Sequence, residues 1–293
     1  MLETVGNVKI RLLSVHFVLK NCPSWAIFSL AANGLLALAL TGLLLRQYRS
    51  NLPLNVQQTA VINELSYPLP ELTSEQIPEL GPRHHLNYRQ WVNLLSREAQ
   101  AIASQNPENL TVLIGDSLSL WFPSEMLPSG LNWLNQGISG ETSAGLLRRL
   151  ELLDRTDPSA IFVMVGINDL IRGVQDETIL ANQRLIIRYL RRVHPQAKII
   201  LQSILPHSGE SVTWEGREYL KSIPNSRIRK INQRSQKIAQ TEGAIYLDLY
   251  PLFADTNGKL QTELTTDGLH LSPEGYLIWR NAIQVICQVL VGI

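Results

Sequence analysis

Ser117, Asp267 and His270 are the residues whose types and placement could do covalent chemistry. A serine hydroxyl attacks poorly at neutral pH until a base removes its proton, and imidazole, with a reference pKa of about 6.5, suits that task. His270 is the candidate base. Asp267, three residues earlier, can return through a turn onto the imidazole, hold it in one tautomer and stabilise its cation. Attack on a carbonyl makes an oxyanion, which needs donors held in place beforehand. The backbone N–H of Ser117, the backbone N–H of Gly137 and the side-chain amide of Asn168 are the candidates, and a glycine at 137 would let its N–H approach substrate with no side chain intervening. This set is sufficient for acyl transfer.

The elements around these residues place them on one edge. Leu110 to Ile114, Ala160 to Val165, Lys198 to Gln202 and Ala244 to Leu247 are short apolar runs with the composition of buried strands. Helical spacing appears at Tyr88 to Gln105, Thr142 to Leu153, Glu177 to Val193, Ser226 to Thr241 and Pro273 to Leu290. Ser272 is the expected cap of the last of these, with Pro273 in its first position. Strands alternating with helices predict an α/β fold with a parallel sheet covered on both faces. Ligands of such sheets bind beyond the carboxyl ends of the strands. Gly115-Asp116-Ser117 and Gly166-Ile167-Asn168-Asp169 follow strand candidates directly. Asn135-Gln136-Gly137-Ile138-Ser139-Gly140 follows a run containing Trp133 and Leu134, and Asp267-Gly268-Leu269-His270 precedes the last helix.

This ordered set resembles the four blocks of the SGNH, or GDSL-type, esterase and lipase superfamily, which carry Ser, Gly, Asn and His. The resemblance covers roughly Leu110 to Leu290. Its Asn135–Gly140 and Asp267–Tyr276 segments are similar to the branch of platelet-activating-factor acetylhydrolase-like and microbial esterases. It implies a flavodoxin-like three-layer α/β/α fold and ester hydrolysis through an acyl-serine, with no metal and no organic cofactor. Small-molecule, lipid or sugar esters are the implied substrates. An O-acyltransferase, a lysophospholipase or a thioesterase would use the same site, and a catalytically silent binding protein could keep the fold.

Other candidates are weaker. Asp116 and Asp169 are expected to fix loops by hydrogen-bonding backbone rather than to touch substrate. His84-His85 has no ligand partner at metal spacing. Arg184, Arg188, Arg191 and Arg192 fall along one side of a helix and read as a solvated face. Neither a Gly-x-Ser-x-Gly elbow nor a phosphate-binding glycine loop occurs. Lys and Arg total 26 against 25 Asp and Glu, a formal charge of +1 that gives no field to gather a nucleic acid. Cys22 and Cys287, far apart in the chain, support neither a disulfide scaffold nor a zinc site.

Ahead of the catalytic blocks, Trp25 to Leu45 carries no charge and ends at Arg46 and Arg49. Its roughly 20 residues at 1.5 Å rise match a hydrocarbon core of about 30 Å. It is expected to be a single-pass anchor. Lys9, Arg11 and Lys20 precede it, which favours a cytoplasmic amino terminus and an extracytoplasmic catalytic domain. Pro53, Pro68, Pro70, Pro78 and Pro82 then exclude long helices and central strands. The expected organisation is an N-terminal segment over 1–24, a transmembrane anchor over 25–45, a Pro-rich tether over 46–86 and a hydrolase domain over 87–293. Leu205 to Pro224 interrupts the strand-helix rhythm and brings Trp214 and Tyr219 as a possible wall of the site. No long apolar stretch suggests a fatty-acyl groove, so short acyl esters are expected.

Overall fold

The computed structural model describes residues 86–291, with the side chains of the last two left aside. The expected anchor over 25–45, the tether up to residue 85, His84-His85 and Cys22 lie outside the described residues. Among the described residues, no helix is long and apolar enough to cross a membrane.

Five parallel strands run β1 (Leu110–Gly115), β2 (Asn132–Gly137), β3 (Ala160–Met164), β4 (Lys198–Gln202) and β5 (Ile245–Leu247), in the spatial order β2-β1-β3-β4-β5. The helices are α1 (Tyr88–Gln105), α2 (Ser117–Leu120), α3 (Ser143–Arg148), α4 (Ile167–Ile171), α5 (Asp176–Val193), α6 (Arg217–Lys221), α7 (Asn225–Thr241), α8 (Tyr250–Phe253) and α9 (Pro273–Ile286). This is the flavodoxin-like three-layer architecture. The sheet grows one way from β1 to β2 and the other way from β1 to β3, which opens a crevice at the carboxyl ends of β1 and β3. Ser117 follows β1 and Asn168 follows β3, so both stand at that crevice.

Strand periodicity divides the core in two. Val112, Ile114, Ile161 and Val163 pack on one face with Ile186 of α5 and Ile231 of α7. Leu113, Phe162 and Met164 face the other way onto Trp279 and Ile283 of α9. Each central strand is therefore apolar on both faces, as the continuous runs in the sequence require. Helix α1 has the limits its spacing predicts. It starts in a capping box in which the Asn87 side chain accepts the Gln90 N–H and the Gln90 side chain accepts the Asn87 N–H. The expected Ser272 cap accepts the Gly275 N–H at 3.2 Å.

Three expectations change. The helix expected over Thr142 to Leu153 is α3 followed by a 3-10 turn, Leu150–Leu153, because Arg149 leaves the helical path and its guanidinium is drawn inward. The helix expected to reach Leu290 ends at Ile286 and continues as a π turn, Cys287–Val291. The polar sequence Asn135-Gln136-Gly137, expected beyond a strand, is the second half of β2. Its side-chain amides donate inward: Gln136 Nε2, in a fully buried side chain, donates to the Leu95 carbonyl of α1 at 3.2 Å, and Asn135 Nδ2 donates to the Ser119 carbonyl at 2.6 Å.

Candidate active site

Ser117 and His270 are 153 residues apart in sequence, yet Ser117 Oγ lies 3.1 Å from His270 Nε2. On the far side of the ring, Nδ1 is 2.7 Å from Asp267 Oδ2. Burial by itself would raise the Asp267 carboxyl. Hydrogen bonds from the His270 ring and from the backbone N–H groups of His270 and Leu269 outweigh it and hold the carboxyl below its ordinary value. An ionised carboxylate only accepts, so Nδ1 carries a proton, and in the neutral form of the ring Nε2 is then the nitrogen with a lone pair toward the serine hydroxyl. The turn that Asp267 needs is built locally: its Oδ1 accepts the N–H of Leu269 at 2.9 Å and of His270 at 2.8 Å. The Thr265 hydroxyl accepts the Gly268 N–H and donates to the His270 carbonyl.

The donors differ in their availability. Among the described residues, the buried Asn168 Nδ2 has no hydrogen-bond partner. Such a group costs roughly 1–3 kcal/mol unless something accepts from it. The Ser117 N–H also has none among the described residues; Asp116, capping α2, accepts the Leu118 N–H on Oδ1 at 3.0 Å. Gly137 departs from the expectation. Its N–H already donates to Asn135 Oδ1 at 3.0 Å, and a Cβ there would stand 2.3 Å from the Leu120 nitrogen. Glycine at 137 is therefore a requirement of packing β2 against α2 and does not open a path to substrate.

The other glycine of the same motif, Gly140, stands at the turn after β2 with φ +73°. Its carbonyl accepts Arg172 Nη2 at 2.8 Å. Its N–H has no partner among the described residues, unlike the N–H of Gly137. The sequence Gly137-Ile138-Ser139-Gly140 carries both glycines, and only the strand register, Gly115 opposite Gly137, shows which one is free of the sheet.

Asp116 and Asp169 act on loops. Asp169 accepts the Ser143 N–H at 2.7 Å and the Ser143 hydroxyl at 2.6 Å, joining the residue after Asn168 to the start of α3. Asp116 is 1% exposed, and burial pushes its carboxyl up to about 7 against the lowering effect of the Leu118 N–H. A buried ion pair missed in the sequence, Arg149 Nε to Glu141 Oε2 at 2.7 Å, supports the same edge: Arg149 Nη2 also donates to the Gly115 carbonyl at 3.3 Å.

Two indoles border the imidazole. Trp121 lies with its ring centroid 4.3 Å from that of His270 at a tilt of 41°, and Trp214 meets the ring edge-on at 6.3 Å. The Leu205–Pro224 segment thus does supply a wall through Trp214, whose N–H, with that of Thr213, donates to the Asp267 carbonyl. Tyr219 is 65% exposed and makes no contact of this kind. Trp121 carried no signal in the sequence, because its partner is distant in the chain.

Elsewhere, Arg184 and Arg188 are largely exposed and pair with Glu242, as a solvated face would. His207 accepts the Gly209 N–H on Nδ1 and donates from Nε2 to the Ile223 carbonyl, which holds a loop. Cys287 is buried, and burial lifts its thiol to about 11. Among the described residues no cluster of three or more His, Cys, Asp or Glu could hold a metal ion.

A serine hydroxyl within hydrogen-bond distance of an imidazole that is itself oriented by a carboxylate, at the switch point of a parallel sheet, defines a serine hydrolase of the three-layer α/β class. The assignment narrows further. Residues 113–278 match the GDSL-like Lipase/Acylhydrolase family, and the chain belongs to it. It is a serine hydrolase that acts on ester bonds. It is 29% identical over 197 residues to platelet-activating factor acetylhydrolase IB subunit alpha1 of Pongo abelii, covering 64% of this chain and 78% of that protein. It is 30% identical over 207 residues to the isoamyl acetate-hydrolyzing esterase 1 homolog of Bos taurus, covering 60% of this chain and 81% of that one. A solved structure described as a platelet activating factor from Streptococcus pneumonia aligns with a TM-score of 0.56 and 28% identity, over 66% of this chain and 94% of that one.

Proposed function

We propose that the protein hydrolyses short-acyl carboxylic esters, acetyl to about hexanoyl, of small-molecule, lipid or sugar alcohols. The intermediate is an acyl ester on Ser117. Ser117 Oγ attacks the carbonyl carbon as its proton passes to His270 Nε2, and the oxyanion is held by the Ser117 N–H, the Asn168 amide and the Gly140 N–H. The C–O bond to the alcohol breaks and the alcohol leaves with the proton from His270. Water then attacks the acyl-serine, gives its proton to the same nitrogen, and releases the acid as Oγ recovers a proton. Asp267 keeps the ring in the accepting tautomer throughout. The observation that carries this reading is the buried, unpartnered Asn168 Nδ2 beside a formed Ser117–His270–Asp267 chain. The names of the acetylhydrolase and the acetate-hydrolyzing esterase among the relatives support the short acyl group.

Labelling with an organophosphorus fluoride, followed by p-nitrophenyl esters of graded acyl length, tests it. Wild-type protein is expected to label on Ser117 and to prefer short esters, and Ser117→Ala to lose both labelling and most turnover. Turnover retained by Ser117→Ala would overturn the mechanism. Transfer of the acyl group to an added alcohol in preference to water would make the protein an O-acyltransferase.

We further propose that residues 25–45 anchor the chain in a membrane and that 46–86 tether a domain starting near Asn87 on the extracytoplasmic side. The uncharged length of Trp25 to Leu45 and the basic residues before it support this. The full chain is expected to sediment with membranes and to resist carbonate extraction, with the domain cleaved by protease added from outside. Full-length protein recovered in the soluble fraction would refute it.

A further inference from the structure

We propose that Glu141 and Arg149 are positioning residues: their buried ion pair joins the strand that leads to Ser117 to the turn that carries Gly140, and so fixes the separation of the nucleophile from that turn. The proposal rests on the ester-hydrolysis reading above, which assigns the Ser117 and Gly140 N–H groups to the oxyanion.

The Gly115 carbonyl is the node of the arrangement. Gly115 ends β1, two residues before Ser117. Its oxygen accepts the Ile138 N–H at 3.1 Å, where the chain leaves β2, and Arg149 Nη2 at 3.3 Å. Between Ile138 and Glu141 the chain turns through Ser139 and Gly140, closed by the Glu141 N–H on the Ile138 carbonyl at 3.1 Å. The Glu141 side chain then points back inward, and its Oε2 accepts Arg149 Nε at 2.7 Å. Both ends of the turn therefore return to one carbonyl, the near end through the Ile138 N–H and the far end through Glu141 and Arg149. The carboxylate is held from two more sides, by the Thr142 N–H on Oε1 at 3.1 Å and by the Tyr88 hydroxyl of α1 on Oε2 at 3.3 Å.

The surrounding chain gives up regular structure to accommodate the pair. Helix α3 stops at Arg148 because Arg149 leaves the helical path, and a Cβ at Gly145 would stand 1.9 Å from Glu141 Oε1. Stability alone does not account for these concessions. The two side chains are 4% and 2% exposed, so both charges are withdrawn from water, and apolar residues of similar volume commonly hold a fold as well as such a pair or better. Apolar packing lacks the directionality of the pair. The planar guanidinium presents Nε and Nη2 at a fixed angle, one to the Glu141 carboxylate and the other to the Gly115 carbonyl, which sets the turn against β1 in one geometry.

The test uses full-length protein, steady-state hydrolysis of p-nitrophenyl acetate and urea unfolding. Glu141→Leu combined with Arg149→Met replaces the pair by apolar side chains of similar volume. Its unfolding midpoint is expected near or above that of wild type, with kcat lower by about 10–10² and KM changed by less than about threefold. Arg149→Lys keeps a charge opposite Glu141 but loses the fork that also reaches Gly115, and it decides the matter if the double variant fails to fold. Its kcat should fall by at least about fivefold at an unchanged midpoint. Because the pair acts through the turn, Gly140→Ala should lower kcat less in either variant than in wild type. A kcat within about twofold of wild type in a folded variant, or strict additivity with Gly140→Ala, would make the pair structural only and overturn the proposal. Failure of the ester-hydrolysis reading looks different: wild type and Ser117→Ala would then turn over the ester alike.

Discussion

Both oxygens of the Asp169 carboxylate are taken by Ser143, one by its N–H at 2.7 Å and the other by its hydroxyl at 2.6 Å. One residue before Asp169 stands the Asn168 amide, and a few residues before Ser143 stands the Gly140 turn. The pair therefore sets the spacing of the two groups, from different strands, that the proposed mechanism assigns to the oxyanion. Arg172 adds a second tie, from the end of α4 to the Gly140 carbonyl. Pre-positioned donors stabilise charge without reorganisation at the moment of reaction, so in the proposed mechanism the rigidity of this link serves catalysis.

Asp169→Ala should leave the Ser143 N–H and hydroxyl without their acceptor. A loss of about 2–6 kcal/mol of stability is expected, from two buried donors at about 1–3 each. In the folded fraction kcat should fall more than KM rises. Urea unfolding and steady-state kinetics on the same preparation separate the two effects, and a variant with normal kcat would show that the tie is structural only.

Asn168→Ala should lower kcat by about 10²–10³ with a much smaller change in KM, because its amide meets an acceptor only when the oxyanion forms. Unlike most polar deletions it should not destabilise the fold, since the wild-type amide is unpaired. The glycines should divide similarly. Gly137→Ala collides with the Leu120 backbone and should unfold the protein at lower denaturant concentration. Gly140→Ala forces a side chain into φ +73° at a cost of about 1 kcal/mol and should act mainly on kcat. Equal effects of the two on stability and rate would remove the distinction drawn between them.

Much of this arrangement was legible in the sequence because it is local. The α1 limits follow from apolar spacing and a cap, the strands from runs such as Ala160 to Met164, and the Asp267–His270 turn from a separation short enough for one side chain to bridge. Features that depend on register or on contacts between distant segments were not legible. Asn135 and Gln136 disguise a strand because polar side chains that donate to α1 and α2 look like a loop. Trp121 against His270 and Arg149 on the Gly115 carbonyl have no periodicity to announce them.

The pH dependence of stability should carry the signature of Asp116. Its carboxyl is raised to about 7 by burial, from about 3.9 in an unfolded chain. The native state then binds the extra proton between those values, so stability falls as pH rises through that window and levels off above it. Asp116→Asn keeps an oxygen for the Leu118 N–H and has no charge to desolvate. Relative to wild type it should gain about 2–3 kcal/mol between pH 5 and pH 8. Urea titrations at the two pH values read the difference, and a constant offset between the proteins would mean that Asp116 does not titrate there.

Asp267→Asn tests the tautomer argument most directly. The substitution retains an oxygen that can accept the Leu269 and His270 N–H groups, so the turn and the fold should persist. In place of Oδ2, however, an amide N–H would face His270 Nδ1, and the neutral ring would answer by moving its proton to Nε2. Nε2–H cannot accept a proton from Ser117, although it would still lie about hydrogen-bond distance from Oγ. A loss of about 10⁴ in kcat is expected, with little change in KM or in the unfolding midpoint. Covalent labelling of Ser117 should slow in parallel, because it needs the same proton transfer. The stability test has its own sign: the wild-type carboxylate, held below its ordinary value, contributes stability above the carboxylate range that is lost as pH falls through its folded value. Asp267→Asn should therefore lose less stability than wild type on acidification. Full labelling speed in the variant would mean that another group orients the imidazole.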